Sequence, residues 1–530
     1  MKVSTPLGLV AAHGPLTLAL AVSPRTPKCA DLKLPPQLDS SFEVLSVNSV
    51  EVYNYSQPYV LGSLGYPVSG LNVCNITVAI THTNDDDYNI LRVWLPLDKW
   101  NGRFQVTGGG GLSTGYLDVG NAPAASQGYA TANSEGGLTL NQTIDSQSGS
   151  WFLRSNGSVN NGLVENYSFR ATHDAAVVGK ALTEQFYGAC PEFSYYTGCS
   201  QGGKQGFWAA AHNPDDFDGI LAASPALVDG SAIPMLVWPT VVMEETAVPA
   251  QCVFNQYLAA IIEACDVLDG ARDGLISDPE NCHFDTTSLV GSVFNCSGED
   301  VTITSAHAEV VSKILQSPKL PSGEQVWWMI SPGTEFWGLA NTTLQDGKFV
   351  PVPFTPGIAF LRYLIYHDPT YDVLNMTYAD FDEAVALAGN YNETFLPYPF
   401  DYSAFRDRGG KLLSWHGLAD QFIPHQGTLH FYDVIESNTR SANGSIDDFL
   451  RLFLAPGAGH CYLGGYGPAP VDPLSALVDW VEAGVAPDTL LAALTKLDST
   501  TITRDLCPWP MMPIYHGQGD VSAESSFSCK

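Results

Sequence analysis

The stretch FSYYTGCSQGGKQGFWAAA, residues 193–211, constrains the fold more than any other. Its first six residues have the length and aromatic content of a buried strand, and its last part reads as a helix. Between them Gly198, Ser200 and Gly202 satisfy the pattern Gly-x-Ser-x-Gly. A strand that turns through small residues straight into a helix lifts Ser200 Oγ above the sheet. The amide of Gln201, first in that helix, is then aimed where negative charge develops on an attacked carbonyl. The motif does not explain the sulfur of Cys199, which directly precedes the serine.

The same alternation runs along the chain. Apolar runs at 91–97, 102–111, 193–198, 217–226, 411–417 and 450–457 have strand length and are bounded by Gly, Pro and Asp. Helical patterns at 171–188 and 202–214 separate several of them. Strand and helix in turn predict an α/β architecture, a mostly parallel sheet covered on both faces. Residues 227–405 break the rhythm with four cysteines, an acidic loop and the aromatics Trp327, Trp328, Phe336 and Trp337. They read as a large insertion capping a sheet domain whose two parts are residues 22–226 and 406–530. A chain of 530 residues is too long for one small core, which agrees with such a division.

Residues 1–21 have the form of a secretory signal peptide: Lys2, a mostly apolar run, then Ala19-Leu20-Ala21 as a cleavage site. His13, Gly14 and Pro15 interrupt the run, so a plain N-terminal tail is the competing reading. Ten Asn-x-Ser/Thr sequons (Asn54, Asn75, Asn141, Asn156, Asn166, Asn295, Asn341, Asn375, Asn392 and Asn443) and eleven cysteines favour secretion as a glycoprotein. No later segment offers ~18 uninterrupted apolar residues, so no membrane span is expected. The formal charge, 24 minus 55 or −31, repels phosphate backbones and anionic lipid, so neither nucleic acid nor membrane is expected as a partner.

A serine hydroxyl is a weak nucleophile and needs a base, itself oriented by a carboxylate. In this architecture the chain order is Ser, Asp or Glu, His. Asp420 in KLLSWHGLADQFIP and His460 in LRLFLAPGAGHCYLGG follow strands in that order. Carboxyl ends of strands are where such sheets place their sites. His416 precedes Asp420 and reads as structural. Singly, Asp420 reads as a turn-capping residue and His460 as a surface histidine; the ordered set outweighs both readings. FQVTGGGGLSTG supplies a second oxyanion donor after an early strand, Gly110 being chosen among Gly108 to Gly111. A phosphate cradle is the rival, but no GKS/T follows. If Ser200 and His460 meet, their neighbours Cys199 and Cys461 come within the Cα separation that a disulfide needs. Two unrelated buried thiols would otherwise have to fall beside both residues by coincidence.

The segments GCSQGG, HGLADQFIP and PGAGHCYLGGYGP, with WNGRFQVTGGGG upstream, resemble the tannase and feruloyl esterase family over nearly the whole chain after residue 21. The resemblance implies an α/β-hydrolase fold with an inserted lid, a Ser200–Asp420–His460 triad and a Cys199–Cys461 disulfide. It also bears on CDVLDGARDGLISDPENC, residues 265–282. From the residues alone, this loop is equally a calcium site or a solvated acidic turn. The family holds calcium at such a motif, which implies Asp266, Asp269, Asp273 and the carbonyls of Ala271 and Leu275 as ligands of a structural Ca²⁺. Cys265 and Cys282 would clamp the loop. By position Cys29 pairs with Cys74 and Cys507 with Cys529, while Cys252 and Cys296 stay open. An odd count leaves at least one thiol over, and Cys190 is the candidate.

The function expected is hydrolysis of a small or polysaccharide-linked phenolic ester through an acyl-enzyme, without an organic cofactor. The aromatic insertion suits a feruloyl ring more than a three-hydroxyl galloyl ring, unless those aromatics are the insertion's own core. A non-catalytic polyphenol- or glycan-binding protein is the reading from another class; an ordered Ser, Asp and His argue against it.

Overall fold

The computed structural model describes residues 28–58, 67–83, 85, 87–140, 143–296, 298–442 and 444–530. The expected signal peptide lies outside them, as do the sequons at Asn141 and Asn443. The first strands, β1 (Phe42–Gln57), β2 (Val68–His82) and β3 (Asn89–Pro96), form an antiparallel meander. They are followed by β4 (Arg103–Thr107), β5 (Ala130–Ser134), β6 (Phe193–Cys199), β7 (Gly219–Ala223), β8 (Lys411–Gly417) and β9 (Leu450–Ala455). All nine make one sheet in the order β1-β2-β3-β5-β4-β6-β7-β8-β9. The pairs from β5 to β9 are parallel, and β3 meets β5 antiparallel.

Alternating burial along β6 shows how both faces are covered. Tyr195 joins a core with Leu477 and Trp480 of the helix Pro473–Ala483. Tyr196 faces the other way, into a core with Ala175, Val178 and Leu182 of Ala171–Tyr187 and with Phe207 of Gln201–His212. Phe431 and Ile435 of His425–Ser441 extend that second layer. Strands apolar on both sides need helices on both sides, which is why the parallel part reads as continuous apolar runs.

The chain leaves the sheet after Ala223 and returns at Lys411. The excursion holds the helices Gln251–Cys265, Ser305–Leu315 and Tyr378–Ala388 and two short hairpins. Its core is continuous with that of the sheet: Trp327, Phe336 and Phe254 are buried, and Phe254 stacks on Phe336 at 4.8 Å. Three of the four aromatics noted in the sequence therefore pack inside or against this core. Trp337 differs, meeting Phe422 edge-on at 5.6 Å.

Five disulfides are formed: Cys29–Cys74, Cys199–Cys461, Cys252–Cys296, Cys265–Cys282 and Cys507–Cys529, with Cys190 free and exposed. The Cys252–Cys296 pair, open from sequence, joins the first turn of a helix to the end of a hairpin strand, Cα atoms 6.1 Å apart. One sequon is unusable in the folded chain. The Asn166 side chain is buried and donates to Asp87 Oδ2 (2.8 Å) and to the Gly136 carbonyl (2.9 Å), leaving no room for a glycan. Asn54, Asn156, Asn295 and Asn375 are exposed. No helix among the described residues is long and apolar enough to cross a membrane.

Candidate active site

β4 and β6 are neighbours, but the chain passes from β4 to β5 on one side and reaches β6 on the other. The strand order therefore switches at their carboxyl ends, where open α/β sheets form a crevice. The glycine loop follows β4 there, and Ser200 follows β6.

Ser200 stands at the N-cap of the helix Gln201–His212 with φ 63° and ψ −122°. That is a left-handed backbone for a residue with a Cβ, costing about 1–3 kcal/mol. The turn is held by the Ser200 amide donating to Ala223 O and by its carbonyl accepting from Lys204 and Ala226, each at 3.0 Å. It is also too tight for larger flanks. A Cβ on Gly198 would stand 2.5 Å from Gly202 C, and one on Gly202 would stand 2.7 Å from Gly109 O.

The loop after β4 is laced to the same helix. Gly108 N–H donates to Thr197 O (2.9 Å), Gly109 N–H to Gln205 Oε1 (3.2 Å), and Gly109 O accepts from Gly202 (3.1 Å). Gly110 N–H has no acceptor among the described residues, nor has the amide of Gln201. The two amides chosen from sequence are unpaired donors among the described residues, as is that of Gly111, while Gly108 and Gly109 are spent on holding the loop.

His460 ends the short strand Ala458–His460 and is buried. Its Nδ1 lies 2.6 Å from Asp420 Oδ2, so Nδ1–H donates and Nε2 is left as the basic nitrogen. Asp420 is buried and richly solvated by protein: Oδ1 accepts from Phe422 N (2.9 Å) and Ile423 N (2.8 Å), and Oδ2 also lies 3.1 Å from His416 Nε2. Burial opposes its charge, but the His460 and His416 imidazoles hold the carboxyl well below its usual range. His416 Nε2 also faces Ile423 O at 3.0 Å and Nδ1 faces Thr428 Oγ1 at 2.8 Å. Nε2 is therefore the donor and Nδ1 accepts from the hydroxyl. His416 is a support for Asp420 rather than a second base.

The Cys199–Cys461 bridge, with Cα atoms 6.0 Å apart, ties the residue before Ser200 to the residue after His460. No hydrogen bond from Ser200 Oγ is formed among the described residues. Nucleophile–base bonds in substrate-free enzymes are often open and tighten on binding. Two positioning residues escaped sequence reasoning. Gln421 accepts from His460 N–H (3.0 Å) and donates to Leu463 O (2.9 Å), bracing the histidine loop from both sides. Phe422 lies edge-on to the His460 ring at 5.5 Å. Their adjacency to Asp420 was the available signal.

A small cavity of about 60 Å³ opens beside the nucleophile turn. Tyr167, Ile233, Leu236, Phe360, Phe395 and Ile423 wall it, with Gln201 and Lys204 at the helix side. The excursion between β7 and β8 thus supplies half of the wall.

The acidic loop lies elsewhere. Asp266 Oδ1 accepts from Asp273 N (3.1 Å) and Gly274 N (2.8 Å), and Asp269 accepts from Ala271 N (2.9 Å) and Ser277 Oγ (2.7 Å). Asp273 accepts from Leu275 N (2.9 Å) and pairs with the buried Arg504. Burial pushes Asp273 up to about 6 despite that guanidinium. No three carboxylate, histidine or cysteine side chains among the described residues converge as a ready metal cage.

Comparison with known proteins decides the lineage. The family profile described as "Tannase and feruloyl esterase" matches residues 74–530. The chain belongs to the tannase and feruloyl esterase family. A "Probable feruloyl esterase" of Arthroderma benhamiae is 41% identical over 515 residues, covering 94% of this chain and 93% of that one. A "Probable feruloyl esterase B" of Aspergillus clavatus is 32% identical, covering 86% of each. Among solved structures, feruloyl esterase B from Aspergillus oryzae is 28% identical with a TM-score of 0.75, covering 93% of this chain and 97% of that one. Tannin acyl hydrolase from Aspergillus niger shares the fold, with a TM-score of 0.83 at 24% identity over 94% of this chain and 93% of that one. The chain carries an α/β-hydrolase sheet with a long excursion before the last two strands of that sheet.

Proposed function

We propose that this chain is a secreted carboxylic ester hydrolase acting on phenolic esters of plant cell-wall material, feruloyl and related hydroxycinnamoyl esters foremost. The observation that carries the reading is the Asp420–His460 pair, 2.6 Å apart, pinned by a disulfide beside a serine on a left-handed turn. Ser200 Oγ attacks the ester carbonyl while His460 Nε2 takes its proton, and Asp420 stabilises the imidazolium that forms. The amides of Gln201 and Gly110 receive the oxyanion. His460 returns the proton to the departing alcohol, and water then hydrolyses the acyl-enzyme. The steps call on no organic cofactor. Relatives named as feruloyl esterases support the feruloyl assignment, and five disulfides suit an oxidising compartment. Methyl ferulate and methyl gallate assayed side by side test it: kcat/KM is expected to be higher for the ferulate. A preference for gallate would make the enzyme a tannase. Turnover of neither, with no labelling of Ser200 by a phosphonylating reagent, would favour a binding protein.

The same proposal includes a structural Ca²⁺ held by Asp266, Asp269 and Asp273 and by the carbonyls of Ala271 and Leu275. The donor set is all oxygen, as a hard cation requires. Among the described residues only Arg504 forms an ion pair with these carboxylates, which leaves negative charge on the loop for a cation to balance. The loop also touches the segment leading to His460: a Cβ on Gly457 would stand 2.9 Å from Leu275 Cδ2. Chelation with EDTA is expected to lower Tm by several degrees, an effect restored by Ca²⁺ and not by Mg²⁺. An unchanged Tm after exhaustive chelation sinks the calcium site.

A further inference from the structure

One charged group beside the nucleophile has no task in the mechanism above. Lys204 lies one helical turn beyond Ser200, on the same face of Gln201–His212, and its residue exposure is 4%. No carboxylate pairs with Nζ and no hydrogen bond to it forms among the described residues. It sits over two rings instead, 5.0 Å from the centroid of Tyr167 and 4.8 Å from that of Phe395. Such contacts favour a desolvated cation, but they do not replace the hydration that an ammonium loses on burial. Accordingly, burial alone pulls the ammonium from its ordinary 10.5 down to about 7. The only other titratable group on the cavity wall is Tyr167, whose hydroxyl donates to Gly111 O at 2.9 Å.

The cavity that holds this cation is walled by neighbours of Ser200 and of Asp420. Gln201 follows Ser200, Ala226 N–H donates to Ser200 O, and Ile423 N–H donates to Asp420 Oδ1 at 2.8 Å. An acyl group held on Ser200 therefore has this recess beside it. At about 60 Å³ the recess admits the oxygen-bearing edge of a ring rather than the whole ring, and Lys204 Nζ offers hydrogen-bond donors with no protein acceptor among the described residues. The geometry points to Lys204 as the specificity-determining residue of the acyl site, its Nζ donating to a phenolic oxygen on the ring of the bound acyl group. This deepens the esterase reading above and rests on it. A ring without oxygen leaves the ammonium as it is, buried and unpaired. A hydroxylated ring satisfies it, and sites built to bond a substrate hydroxyl discriminate strongly against analogues lacking one.

Three methyl esters separate the outcomes: methyl cinnamate, methyl 4-hydroxycinnamate and methyl ferulate. The wild type is expected to hydrolyse all three, with kcat/KM for the two phenols on the order of tenfold or more above cinnamate. In Lys204→Met, which keeps the side-chain length, kcat/KM for the phenols falls on the order of tenfold while that for cinnamate holds or rises. The variant is not expected to unfold, because a depressed lysine pKa marks a destabilising charge. The unfolded chain keeps the proton to about 10.5 and the folded chain only to about 7, so the penalty is full below pH 7 and Met removes it. A parallel fall with all three esters would make Lys204 structural and overturn the proposal. So would unchanged phenol rates, or a wild type indifferent to the ring hydroxyl, a result that needs no variant. In each of these cases turnover of cinnamate shows that the esterase reading itself stands.

Discussion

Ser200→Ala is expected to lower kcat on methyl ferulate by at least about 10³-fold while leaving the melting temperature nearly unchanged. The change removes one oxygen from a half-exposed position and keeps the Cβ, so the left-handed turn and its three backbone hydrogen bonds persist. With no acyl-enzyme possible, the amides of Gln201 and Gly110 can still polarise the carbonyl. Donors of this kind alone support a residual rate about 10³-fold over water. Stopped-flow release of the alcohol should lose its burst, and phosphonate labelling of the site should vanish. Wild-type turnover by the variant would remove Ser200 from the mechanism.

The second large effect concerns the bridge between the serine and histidine loops. Cys199→Ala with Cys461→Ala opens a loop of sequence separation 262. Chain-entropy bookkeeping puts the lost stability at about 5 kcal/mol as an upper figure. Beyond that, kcat at a temperature where the variant is fully folded is expected to fall about 10²-fold, the size of effect a misplacement near 1 Å produces. The bridge is one of several ties on the histidine loop, among them the Gln421 brace and the Asp420 hydrogen bond. It is the tie that connects this loop directly to the nucleophile turn. Opening Cys507–Cys529, which joins the end of the strand Thr501–Leu506 to the last strand Phe527–Cys529, should cost stability without this loss of kcat. A folded, fully active double variant would show that packing alone sets the Ser200–His460 distance.

The chemistry-bearing residues were legible because each sits in a local pattern with a physical reason. A strand, three small residues and a helix leave few ways to place Ser200, and Asp420 and His460 each follow an apolar run in the required order. The sulfur of Cys199 was legible for the same reason, since its partner adjoins the other end of the proton relay. What stayed hidden depended on contacts between segments far apart. Trp327 and Phe336 stayed open between pocket and core and proved to be core, because aromatic content does not reveal which way a ring faces. The pocket rings, Phe360 and Phe395, come from unremarkable stretches of the same insertion. Asn166 reads as a sequon like its nine counterparts, and only the fold buries it against Asp87.

From the sequence by itself came the doubly covered sheet, the position of the insertion, the ordered Ser–Asp–His set and the family resemblance. All of these rest on periodicity or on spacing within one segment, which local backbone preference and apolar burial dictate. The tertiary structure decided which glycine amides hold the loop, how Cys252 finds Cys296, and where Lys204 points. Each of those depends on residues brought together across tens to hundreds of positions, where no local rule operates. Lys204 shows the difference most plainly: the sequence places it one turn beyond the serine, and only three-dimensional packing makes it a buried cation over two rings.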